Sequence, residues 1–192
     1  VADIIRYDDQ QGAYNLASGI SAMTVQAYRD TAFQLEHCRH DQDDVVAYFR
    51  FQMSHRRRLG SALASCHIHY IPCGANPASP QNVRFQLLYS WQDIGGTFPA
   101  NAGWTTATSD LAIGTADQYK DKVNNLLTGL AAPAGEGYSS WLLIAITRLG
   151  TDPADTYTQS NPHGAAQANL AILGVDCHIQ VDRDGSLAET SD

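Results

Sequence analysis

The sequence predicts an all-β fold, a jelly-roll-like antiparallel β-sandwich with an extended N-terminal arm, and three observations lead there. From Val45 onward apolar residues recur at period two, the spacing of half-buried strands whose side chains alternate between faces. Segments rich in Gly, Pro and Asn separate these runs, as turns between strands require. Charged residues make up only 17% of the chain, below the soluble average of about 25%, which suits a protein that covers much of its surface with partners.

The 192 residues suffice for one domain with a sizeable core. No internal repeat or interdomain linker divides them. Residues 1–40 are expected to form the arm and first strand or strands, residues 41–186 the sandwich, and residues 187–192 a frayed acidic tail. The first 24 or so residues show no sustained period, which suits an extended arm or a poorly ordered tail.

The first clear strand is Val45 to Met53, with odd positions apolar and Arg50 and Gln52 on the other face. Arg57 to Gly60 offers a turn. Leu63 to Ile71 follows, with Cys66, Ile68 and Tyr70 on one side and Ser65, His67 and His69 on the other. After a loop from Pro72 to Pro80, Val83, Phe85, Leu87, Tyr89 and Trp91 line one face of the third strand. Residues 117–130 carry both helical and alternating spacings, so the pattern leaves that segment open. Trp141 to Thr147 is an apolar run too short for a typical helix, read as a strand buried on both faces. Such double burial points to a subunit interface through Trp141, Leu142, Ile144 and Ile146. The last strand runs from Ala171 to Val181.

A net charge of −8 argues against nucleic-acid binding, which needs a positive field to displace counterions. The one basic run, His55 to Arg58, reads as a solvated turn. No stretch approaches the roughly 18 apolar residues of a membrane helix. Val1-Ala2-Asp3-Ile4 lacks the basic-then-apolar layout of a signal peptide, so synthesis in the cytoplasm is expected. None of the four cysteines, Cys38, Cys66, Cys73 and Cys177, forms a CxxC pair. All four read as free thiols, with Cys66 and Cys177 as small core residues.

His67 and His69 leave the same face of their strand, and Asp176 and His178 share a face of the last one. If the two strands are neighbours, His67, His69, Asp176 and His178 converge as candidate ligands for zinc or another divalent metal. The same pattern also describes a polar sheet face hydrogen-bonded across strands. Ser54-His55 and Ser65-Cys66-His67 place hydroxyls beside histidines in sequence, but no orienting carboxylate is identifiable. No GxSxG, HExxH, P-loop or GxGxxG motif is present. Among aromatic residues suited to stacking on sugars, Trp104 alone looks free of core duty; Trp91, Tyr119, Tyr138 and Trp141 read as packing.

Three segments, Phe49-Arg50-Phe51-Gln52-Met53-Ser54-His55, Cys66 to Pro72 with His67 and His69, and Val83 to Trp91 with Gly95 to Pro99, together resemble a run in virion proteins of tailed phages and prophages. Gly174 to Asp182 with Gly185-Ser186 is similar to that family's C-terminal ending. Ser54 stands where the family often has proline, and Ile179 where it often has tyrosine. The resemblance covers residues 45–186 in separated blocks. It implies a jelly-roll-like sandwich assembled as a homotrimer on the virion, a decoration, cement or fibre-base protein with no enzyme activity and no cofactor. The expected partners are the chain itself and the major capsid protein, with assembly in the host cytoplasm. Ile4, Ile5, Tyr7 and Tyr14 of the arm are the expected capsid contacts. The alternative is a receptor- or glycan-binding head or tail-fibre component acting through Trp104.

Overall fold

The computed structural model describes residues 2–6, 20–22, 24–52, 63–100, 103–132 and 140–180. Their strands are β1 (Ala2–Arg6), β2 (Ile20–Ala22), β3 (Thr24–Ala27), β4 (Gln34–Cys38), β5 (Asp43–Gln52), β6 (Leu63–Pro72), β7 (Gln81–Gln92), β8 (Thr105–Ile113), β9 (Lys122–Leu130), β10 (Trp141–Leu149) and β11 (Leu170–Gln180). A single helical turn, Tyr28–Asp30, joins β3 to β4.

Two sheets pack face to face. The first has the order β3-β4-β11-β6-β9, with β1 also paired to β11; the second has the order β2-β5-β10-β7-β8. Counting β4 to β11 as strands one to eight, the sheets read 1-8-3-6 and 2-7-4-5. Every connection in that set crosses between the sheets except the one from β7 to β8. This is the jelly roll, and the predicted fold class is observed. Pairing is antiparallel apart from β2 beside β5.

Alternation builds the core as expected. Val83, Phe85, Leu87 and Trp91 of β7 point inward and are buried, as are Cys66, Ile68 and Tyr70 of β6. Each fully buried large apolar side chain contributes about 1.5–3 kcal/mol. The indole N–H of Trp91 donates to Ser140 Oγ at 2.9 Å, so its polar atom is satisfied inside the core.

Three expectations change, and one segment left open is assigned. Leu142, Ile144 and Ile146 are at most 1% exposed within one chain and belong to its core. They cannot form the subunit interface assigned to them. β10 is the central strand of its sheet, between β5 and β7, so Ala145 and Thr147 on its outward face are also largely covered; this gave the run its doubly buried look. Trp141 at the strand's start is half-buried. Second, β4, among the residues 1–40 expected to hold the arm and first strand or strands, is the first strand of the jelly roll, so the sandwich begins before residue 41. Third, residues 122–130 are strand. A bulge opposite Cys66 and His67 leaves two consecutive residues, Leu126 and Leu127, buried, and this doublet produced the helical spacing. Fourth, Cys66 is disulfide-bonded, not a free thiol; its register partner on β11 is Cys177. Cys38 and Cys73 are buried thiols outside any disulfide. Burial pushes the Cys73 thiol up to about 12, so it stays protonated and inert.

At one end of the sandwich the inward face of β10 finishes with a charge. Arg148 follows the parity of Leu142, Ile144 and Ile146 and is fully buried. Its guanidinium donates twice to Asp155, at 2.9 Å each, and to Asn169 Oδ1 at 2.6 Å. The carbonyls of Tyr157 and Cys38 complete the set. All five N–H donors of the fork therefore have acceptors, the condition under which a buried guanidinium is tolerated. Asn169 carries the network on, donating to the carbonyls of Tyr157 and Gln159. The loop from 150 to 169 is thereby fixed to β4, β10 and β11.

The arm is laced through both sheets. β1 pairs with β11 in one and β2 with β5 in the other. β3 is held by Gln26, whose Oε1 accepts from Ala165 N and whose Nε2 donates to Ala168 O. Beyond it the Arg29 guanidinium lies 4.3 Å from the Tyr119 ring centroid, and Asp30 pairs with His163. Arg29, Asp30 and Tyr119 are the non-glycine residues with positive φ among those described; this corner is where the hairpin is bent to meet the loops.

Candidate functional site

The histidines do come together. β6 and β11 are neighbours, with His67 opposite Asp176, His69 opposite Gly174 and Ser65 opposite His178. A bulge at Leu173 sets this register: before it Leu170 and Ile172 point inward, after it Val175 does, which sends Asp176 and His178 outward. On the other side β9 places Asn125 opposite His67 and Val123 opposite His69. The result is a polar row across the outer face of the first sheet.

Each ring in the row has local partners. His69 Nε2 lies 3.2 Å from Asp176 Oδ2, and its Nδ1 lies 3.9 Å from Asp121 Oδ1. His67 Nε2 is 2.8 Å from Ser65 Oγ. The rings of His67 and His178 lie against each other with centroids 4.5 Å apart, tilted by 39°. Burial, then the neighbouring His178 and His69, lowers the His67 pKa, and Asp176 only partly offsets this. The imidazole nitrogens turn to carboxylate and hydroxyl neighbours rather than to a shared centre. No group of three or more metal-ligating side chains with suitable geometry occurs among the described residues. The four metal candidates share one polar sheet face, on which His67 and His69 lie against Ser65, Asp121 and Asp176.

Ser65 and His67 form a hydroxyl–imidazole pair, as a nucleophile and base would. The nearby carboxylate of Asp176 is directed to His69 instead, and the pair lies on an open sheet face rather than in a cleft.

No family model, no curated protein and no solved structure matches the chain.

Trp104 is half-buried, and its indole N–H donates to Pro99 O at 2.9 Å, which anchors the β7–β8 connection. Its neighbours Gly103 and Thr105 instead border a cleft of about 430 Å³ between the two sheets, with Tyr89 and Trp91 on one wall and Leu127 and Leu130 on the other. The sequence pattern placed Tyr89 in the core with the rest of its strand face. It is only partly buried because it sits where the sandwich opens. Ile4 and Ile5 lie on β1, where their backbone pairs with His178 and Cys177. Tyr7, Tyr14, the basic run from His55 to Arg58, Tyr138 and the tail 187–192 lie outside the described residues.

Proposed function

We propose that this chain is a structural protein of a tailed-phage particle, a decoration or cement protein that binds the shell as a trimer and acts by binding rather than catalysis. The observation that carries the reading is the jelly-roll strand order, an architecture used by viral shell domains. The resemblance of the segments in β5, β6, β7 and β11 to tailed-phage virion proteins adds to it. The Cys66 disulfide also supports it. Disulfides are rare in the reducing cytoplasm and persist at virion surfaces, so a chain made in the host cytoplasm would oxidise once the particle is released.

In this reading the contacts lie on outer surfaces, because the inward face of β10 is used within the chain. The outer face of the first sheet offers Val123 and Leu173, 48% and 40% exposed, beside the histidine row. A contact of standard size buries about 1,600 Å² in total, and many symmetric copies multiply modest affinities. The major capsid protein is the partner, and neither nucleic acid nor a cofactor takes part.

The test is co-sedimentation of the purified chain with undecorated shells of the phage that encodes it, with its own mass measured by light scattering. Saturable binding of a trimer is expected. A monomer that leaves the shells bare overturns the proposal.

A further inference from the structure

The cleft beside Tyr89 is a site that the virion reading does not use, and its chemistry is independent of that reading. Among the described residues, small side chains border it. Tyr89 and Thr105 are register partners on inward faces of β7 and β8, and Leu127 faces them from β9. Thr105 is small where a closed core would hold a large apolar residue. Gly129, also on the cleft wall, has φ of +61°, and a Cβ there would meet nothing within 4 Å. The space left is about 430 Å³, at the lower end of the ~300–1,000 Å³ typical of small-molecule sites.

Its lining defines the ligand. Among the described residues, no Lys, Arg, His, Asp or Glu lines it, so these walls would strip hydration from a charged ligand without offering a counter-charge. A purely apolar ligand would strip water from Thr105, Gln92 and Thr128 without replacing their hydrogen bonds. An occupant that satisfies both walls carries a C–H face for Tyr89 and the leucines and neutral hydroxyls for the threonines and amide. We propose that this cleft binds a neutral sugar, one or two uncharged pyranose rings, with the Tyr89 ring as stacking platform and Thr105 at the entrance.

Saturation-transfer NMR and calorimetric titration of the full chain test this, with maltotriose, cellotriose and the N-acetylglucosamine trimer as neutral probes. A uronic-acid trimer, a short alkyl alcohol and a neutral tripeptide serve as contrasts. At least one neutral trisaccharide is expected to bind at millimolar concentration, with transfer strongest at the ring C–H protons. Thr105→Trp, an exposed position on a strand, fills the cleft and is expected to weaken binding at least about tenfold. Tyr89→Ala is expected to do the same, while Trp104→Ala changes affinity less than about twofold. Failure of all three sugars to bind overturns the proposal. So does equal or tighter binding of the acid, the alcohol or the peptide, or sugar binding that survives Thr105→Trp.

Discussion

Replacing Asp155 with alanine isolates the polar network beneath the loop from 150 to 169. The change removes two of the five acceptors of Arg148, both at 2.9 Å, and takes an acceptor from the backbone N–H of Arg84 at 3.1 Å. Asn169 and two carbonyls remain, but they are neutral, and Arg148 is fully buried. Deleting one member of a buried ion pair leaves the other charge uncompensated and costs about 3–5 kcal/mol. For a chain of this size, 1 kcal/mol corresponds to about 2–4 °C in Tm. The midpoint should therefore fall by about 6–20 °C. Urea unfolding followed by tryptophan fluorescence gives the free energy by linear extrapolation. The double variant Arg148→Met/Asp155→Val removes both charges and should be more stable than Asp155→Ala alone, because the cost lies in the orphaned charge rather than in the lost pair. A loss in Asp155→Ala below about 1 kcal/mol, the scale of an exposed pair, would refute the reasoning. So would a double variant as unstable as the two singles added together.

Three other perturbations probe the core, the disulfide and the histidines. Ile144→Ala should cost about 2–5 kcal/mol in chemical unfolding and leave the mass by light scattering unchanged; a change of oligomeric state at unchanged stability would restore Ile144 to an interface. Reduction of the Cys66 disulfide should lower stability by about 2–4 kcal/mol, read as a drop in Tm with added reductant that a Cys66→Ser variant no longer shows. His37, His40 and His67 all have lowered pKa values, each chiefly through burial. The unfolded chain therefore takes up protons first. Stability is full above an unfolded histidine pKa of about 6.5 and is lost as pH falls through the lower folded values. Thermal midpoints that stay flat from about pH 7.5 to about pH 5 would show that these histidines do not couple to folding.

Much of the fold was legible because alternation survives wherever one face of a strand is wet. β5, β6, β7 and β11 were readable on that ground. β8 was not: only Leu111 and Ile113 of its residues are large, apolar and buried, and its first half is threonine and serine at the sandwich edge. β9 was blurred by its bulge. The convergence of His67, His69, Asp176 and His178 could be anticipated because the parity of each strand fixes which side chains share a face, and only the adjacency of β6 and β11 had to be supplied by the fold. Other features lay beyond local pattern. Arg148 sits on the apolar parity of its run, which is a visible signal, yet Asp155 and Asn169 are loop residues that only the folded chain brings to it. The disulfide at Cys66 was equally hidden, since spacing does not encode connectivity. Tyr89 looked like core because its strand does; the gap beside it comes from small residues on β8 and β9.

The pairing of β11 with both β4 and β1 has a consequence for the order of events during synthesis. The first strand of the jelly roll and the arm before it both hydrogen-bond to β11, more than 130 residues further along the chain. While the ribosome is still translating, neither has its partner, and a hairpin such as β7–β8 is among the few pairings already available. Closure of the first sheet therefore waits until β11 has been made, a long-range step that slows folding. In that interval the N-terminal segment of one molecule and the waiting edge of another are both unoccupied. Where many copies are made at once, the same pairing that seals a single chain can also link two, by exchange of arms.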